Sequence, residues 1–125
     1  MFSVLIVDDN PEMASAMRDI LVFEGFETFV VSSGAKALQI LHDHPVDILL
    51  TDVIMPEMDG VELYRRTRQA YPKLITILMT AYAADELIQQ GMAEGIKTVL
   101  TKPLDIDFLV LLLSTYRKRK AAGLI

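Results

Sequence analysis

This chain reads as an α/β protein built on a parallel sheet. Short apolar, β-branched runs alternate five times with segments of helical periodicity. The connections between them are short. One run, Ile48-Leu49-Leu50, is unbroken by polar residues, as expected of a strand buried on both faces. Repeated β–α units of this kind place helices on both sides of a parallel sheet. A chain of 125 residues, 52% apolar and 23% charged, suits a single folded domain with a real core.

The elements follow in order. Ser3–Val7 is the first strand. Asn10 can cap the next helix with Pro11 in its first turn, and Met13, Met17, Ile20 and Leu21 recur at helical spacing. Gly25 is the stop signal. Thr28–Val31 is the second strand, followed by a helix over Gly34–His42. Asp47–Thr51 is the third strand. The helix after it spans Gly60–Ala70, with Val61, Leu63, Tyr64 and Thr67 toward its inner side. Thr76–Met79 is the fourth strand, followed by a weaker helix over Ala84–Gln90. Thr98–Leu100 is the fifth strand, and Ile106–Lys118 the last helix. No internal repeat, low-complexity stretch or interior linker interrupts the pattern.

Composition narrows the function. With no cysteine, disulfides, thiolate metal sites and cysteine nucleophiles are excluded, which fits a reducing compartment. The first strand starts at Ser3, leaving no room for a signal peptide before it. The apolar runs are too short to cross a bilayer, so no membrane role is expected. A net charge of −5 disfavours general nucleic-acid binding, which needs phosphate-neutralising cations. The exception is Arg117-Lys118-Arg119-Lys120, which reads either as cations favoured at a helix C-terminus or as the start of a linker.

The chemistry-bearing residues fall at strand ends. Asp8 and Asp9 close the first strand, Asp52 the third and Thr80 the fourth, while Lys102 follows the fifth. Each has a plain reading alone: turn former, helix cap, β-branched strand residue or loop lysine. Their shared position changes the balance, because open α/β sheets bind ligands at the carboxyl ends of their strands. Three carboxylates repel one another unless a cation or proton intervenes. An all-oxygen set of this size matches Mg²⁺ with several retained waters better than Zn²⁺.

These residues carry a family resemblance. Leu5-Ile6-Val7-Asp8-Asp9-Asn10, the stretch Asp52-Val53-Ile54-Met55-Pro56-Glu57-Met58-Asp59-Gly60, Thr80-Ala81 and Leu100-Thr101-Lys102-Pro103-Leu104 stand in the order and spacing of the receiver domain of two-component response regulators. The chain resembles that family over essentially its whole length. The resemblance implies a flavodoxin-like, doubly wound five-stranded sheet in the order 2-1-3-4-5 with five helices. It assigns residues 1–120 to the receiver domain and 121–125 to a tail or the start of a linker. It implies that Asp52 is the phosphoacceptor and that Asp9, Asp52 and the main-chain carbonyl of Ile54 hold Mg²⁺, with Asp8 acting through water. Lys102 would pair with the phosphoryl group, Thr80 would hydrogen-bond to it, and the Lys102–Pro103 peptide would be cis. The donor would be a sensor histidine kinase or phosphotransfer protein. The domain would be cytoplasmic and a switch rather than an enzyme acting on free metabolites, with a C-terminal output domain as its possible continuation.

The chain departs from that pattern in two places. Receivers usually carry Tyr or Phe three residues before the lysine; here the residue is Val99, whose short stiff torsion cannot swing as a ring does. Tyr82 is a candidate substitute. Two residues beyond Asp52 and Thr80 stand Ile54 and Tyr82, which can crowd a phosphoryl group, so slow hydrolysis of the acyl phosphate is expected. The last helix also carries Phe108-Leu109-Val110-Leu111-Leu112-Leu113. At about 3.6 residues per turn, six consecutive apolar residues cannot all face one core, and a homodimer through this helix is expected.

Other classes fit less well. A pseudo-receiver that binds partners without phosphorylation is the main alternative, left open by Val99. A haloacid-dehalogenase-like phosphatase needs a second Asp two residues after its nucleophile, where this chain has Ile54. No P-loop or dinucleotide glycine motif follows any strand.

Overall fold

The computed structural model describes residues 1–81 and 85–125. Five strands alternate with five helices: β1 (Ser3–Val7), α1 (Pro11–Phe23), β2 (Glu27–Val31), α2 (Gly34–Asp43), β3 (Ile48–Asp52), α3 (Gly60–Thr67), β4 (Ile75–Thr80), α4 (Glu86–Ala93), β5 (Thr98–Thr101) and α5 (Ile106–Ala121). All neighbouring strands are parallel, in the order β2-β1-β3-β4-β5. The expected flavodoxin-like, doubly wound sheet is therefore the observed one.

Alternation along the strands builds two layers. Val4 and Ile6 of β1, with Ile48 and Leu50 of β3, face Ala14, Met17 and Leu21 of α1 and Leu109 and Leu113 of α5. Leu5 and Val7 face the other way, onto Ala37 and Leu41 of α2 and Leu63 of α3. A third cluster joins Val53, Leu78, Val61 of α3 and Ile88 of α4. Successive strand side chains point to opposite faces, so one apolar strand supplies two cores. This is why β1 is buried along its whole length.

Several boundaries moved. α1 buries Ala14, Met17 and Leu21, whereas Met13 is on the exposed side. α3 ends at Thr67, before the turn into Pro72, whose ring disfavours a helical Tyr71. α4 starts at Glu86 because the Asp85 side chain accepts from the Leu87 amide; the expected start, Ala84, lies outside the described residues. α5 reaches Ala121, three residues past the expected end.

The basic run at the end of α5 ties down its helix. Arg117 lies 4.2 Å over the Phe26 ring and donates to the Glu24 carbonyl at 3.3 Å. Lys120 pairs with Asp47. Asp47 also accepts from the Ser3 amide at 2.8 Å, closing the amino edge of the sheet between β1 and β3. Among the described residues, no helix is long and apolar enough to cross a membrane.

Candidate functional site

The sheet register brings the expected site residues to one edge. Val7 aligns with Thr51, Asp52 with Met79, and Thr80 with Thr101, so residues at or just beyond these strand ends converge. Carboxylate oxygens of Asp8, Asp9 and Asp52 all lie within 4.8 Å of one another. Asp8 is buried, Asp9 is exposed, and the Asp52 side chain is 13% exposed. The Lys102 ammonium sits between two of them, 3.2 Å from Asp52 Oδ2 and 3.5 Å from Asp8 Oδ2. The Lys102 amide donates to the Thr80 carbonyl at 2.8 Å, and the Lys102–Pro103 peptide is cis. Thr80 is buried at the end of β4.

Backbone groups orient the acids. The Asn10 amide donates to Asp8 Oδ1 at 2.9 Å, while the Asn10 side chain caps α1 by accepting from the Glu12 and Met13 amides. One residue thus starts the helix and fixes Asp8. The Val53 amide donates to Asp52 Oδ1 at 3.1 Å, leaving Oδ2 to Lys102. The loop after β3 folds back tightly. Glu57 takes a left-handed conformation, φ 70°, which costs a residue with a Cβ about 1–2 kcal/mol. Gly60 begins α3 so close to β3 that a Cβ there would lie 2.4 Å from the Asp52 carbonyl oxygen. Only glycine lets that helix start beside the site.

Charge is under-compensated here. Burial pushes the Asp52 carboxyl above its ordinary pKa, Lys102 pulls it down, and the neighbouring Asp8 charge adds to the rise. Among the described residues, buried Asp8 Oδ2 has no hydrogen-bond partner, and the Lys102 ammonium stands 3.5 Å from it. An orphaned carboxylate oxygen beside two more carboxylates, with no nitrogen or sulfur donor in the cluster, fits a hard divalent cation.

The remaining expected residues divide. The Ile54 side chain is 56% exposed beside the site. Val99 is half-buried on β5, against the cluster of Val53, Val61, Leu78, Ile88 and Ile96. Tyr82 lies outside the described residues. Sequence reasoning missed the Asn10 and Val53 amides, since every residue but proline has one and only folding aims it. It read Gly60 as part of a motif without the steric demand that makes it one.

Comparison with known proteins agrees with this architecture. The family model described as the response regulator receiver domain matches residues 4–114. The chain therefore belongs to the receiver domains of two-component response regulators. Sporulation initiation phosphotransferase F of Bacillus subtilis is 35% identical over 104 residues, covering 83% of this chain and 84% of that protein. The sensor histidine kinase RcsC of Escherichia coli is 36% identical over 116 residues, 93% of this chain, but the chain spans only 12% of that relative's length. Among solved structures, a Francisella response regulator receiver domain superposes with a TM-score of 0.86 at 28% identity, covering 96% of this chain and 99% of that one.

Proposed function

We propose that this chain is a phosphoryl-accepting switch, with Asp52 as the acceptor. The observation that carries the reading is the Lys102 ammonium set between Asp8 and Asp52, 3.2 Å from the Asp52 oxygen that the Val53 amide leaves free. A carboxylate is a competent nucleophile for an acyl phosphate, and the obstacle is bringing one anion onto another. Asp8, Asp9, Asp52 and the Ile54 carbonyl would hold Mg²⁺, whose chemistry when bound is to offset that repulsion. Asp52 Oδ2 attacks phosphorus, the donor's leaving group departs with its electron pair, and Lys102 passes from the carboxylate to the phosphoryl oxygens. Thr80 donates its hydroxyl to the same group after transfer.

The donor in this reading is a phosphohistidine on a sensor histidine kinase or phosphotransfer protein, and the setting is cytoplasmic. The chain turns over no free metabolite; it catalyses its own phosphorylation and dephosphorylation. The boundary at residue 120 and an output domain beyond it belong to the same reading.

The apolar run of α5 is resolved by packing. Leu109 and Leu113 are buried and Val110 and Leu112 lean on the same core, while Phe108 and Leu111 stay 49% and 64% exposed. These two would form the contact of the expected homodimer. A sedimentation profile that stays monomeric at high concentration, with and without a phosphoryl mimic, would remove that part.

The test of the acceptor is intact mass after incubation with a small phosphodonor, with and without Mg²⁺. Wild type should gain one Mg²⁺-dependent phosphoryl group and Asp52→Ala none. A folded, Mg²⁺-binding protein that gains none from either a small donor or a kinase would favour a partner-binding pseudo-receiver. Adduct lifetime tests the crowding by Ile54. Ile54→Asn, which can orient an attacking water, should shorten it, and an unchanged rate would show that Ile54 does not protect the phosphoryl group.

A further inference from the structure

Two methionines hold down the loop that leads from Asp52 to α3. Ile54, Pro56 and Glu57 are exposed, whereas Met55 is buried and Met58 half-buried. Both methionines pack on the core layer that contains Leu5, Val7, Ala37 and Leu41. Main-chain bonds fix the two ends of the loop. The Val53 amide donates to the Met79 carbonyl at 3.2 Å, and the Gly60 amide donates to the Val53 carbonyl at 2.8 Å.

The tip between those ends is strained. The Met58 amide donates to the Pro56 carbonyl at 2.8 Å, with Glu57 between them at φ 70°, the rarer hand of a three-residue turn. Such a conformation persists only where its surroundings impose it. Here Met58 is seated on Gly34, the first residue of α2. A Cβ on Gly34 would lie 2.6 Å from Met58 Sδ, 3.1 Å from its Cγ and 3.2 Å from its Cβ. Because Met58 Cβ is itself so close, turning the thioether away does not clear the space. The turn that carries Met58 has to move as well.

We propose that the seat of Met58 on Gly34 sets the place of the loop for a divalent cation, so that both are positioning residues for the ion. This rests on the ion reading above, in which the Ile54 carbonyl joins Asp8, Asp9 and Asp52. A carboxylate can be re-aimed by a rotamer, but a main-chain carbonyl goes where its loop goes. The Ile54 side chain is mostly in solvent, so the hold on that carbonyl comes from Met55 and, across the strained turn, from Met58 on Gly34. Groups that orient metal ligands without touching the metal commonly change affinity by about tenfold or more.

The experiment measures Mn²⁺ affinity by electron paramagnetic resonance of the free ion, with unfolding in chelator as the check on folding. Gly34→Ala and Met58→Ala should each weaken binding about tenfold. The double variant should bind no more weakly than Met58→Ala alone, because the added Cβ then meets no thioether. Asp47→Ala, destabilised at the opposite edge of the sheet, should bind like wild type, which separates lost position from lost stability. Glycine adopts φ 70° without strain, so Glu57→Gly should recover most of the affinity that Met58→Ala loses. That pair carries the test if Gly34→Ala is poorly folded. A folded Met58→Ala protein with wild-type affinity would overturn the proposal. So would losses that multiply in the double variant, or no recovery on adding Glu57→Gly. If wild type binds no Mn²⁺, the ion reading falls and the positioning with it. If wild type binds, Asp9→Asn does not, and the Met58 and Gly34 variants match wild type, the positioning alone falls.

Discussion

Asp47 precedes β3 and Asp52 ends it, and their side chains are similarly exposed, 16% and 13%. Each faces a lysine, Lys120 at the amino edge of the sheet and Lys102 at the carboxyl edge. Their surroundings differ. Asp47 takes the Ser3 amide, the Ser3 hydroxyl and Lys120, so its carboxylate is fully engaged in closing the fold. Asp52 shares its lysine with Asp8, lies within 4.8 Å of two more carboxylates, and sits beside an oxygen that has no hydrogen bond among the described residues. A buried carboxylate that is satisfied works as a structural peg. One whose charge is left over keeps capacity for a ligand, at a cost in stability.

The largest effect expected from this contrast is at the amino edge. Asp47→Ala leaves the Ser3 amide, buried beneath it, without its partner, and should lower unfolding stability by about 2 kcal/mol in denaturant titration. A loss under a few tenths would mean that water replaces the carboxylate there. Next is a response confined to the carboxyl edge. Mg²⁺ at tenfold over its dissociation constant should stabilise wild type by about 1.4 kcal/mol, and Asp47→Ala by the same amount. Asp9→Asn should lose most of that gain. Equal gains in all three proteins would place the ion elsewhere.

The smallest effect has the opposite sign. The folded pKa of Asp52 stands above its ordinary value of 3.8, chiefly because burial disfavours the charged form. The folded protein then holds that proton more tightly than the unfolded chain, so ionising Asp52 costs stability. That cost is complete above the folded pKa and absent below the unfolded one. Asp52→Asn should therefore stabilise the protein at pH 7, by less than the effects above, with the gain shrinking as pH falls through that window. A variant less stable than wild type at pH 7 would mean that the Lys102 pairing outweighs the burial cost.

The contrast between the two edges was half visible in the chain. Asp52 could be singled out because it shares a strand-end position with Asp8, Thr80 and Lys102, inside motifs of fixed spacing. Asp47 was read only as the first residue of a strand, and Lys120 only as one cation in a basic run. Nothing local links residues 47, 3 and 120; their meeting depends on where α5 crosses the amino edge. The run Phe108–Leu113 shows the same limit. Its excess of apolar residues was plain, but which of them stay exposed depended on how α5 rotates against β1 and β3.

Periodicity and punctuation act over one or two turns, so the five β–α units, the cap at Asn10 and the acids at strand ends were determined by the sequence alone. Pairings across tens of residues have no local signature. Tertiary structure decided that Val53 and Asn10 aim their amides at the two buried acids, that Lys102 stands between them, and that Glu94 falls under Arg65 and Tyr64. Each depends on the rotation and spacing of whole elements, which only the packing of the two layers on the sheet sets.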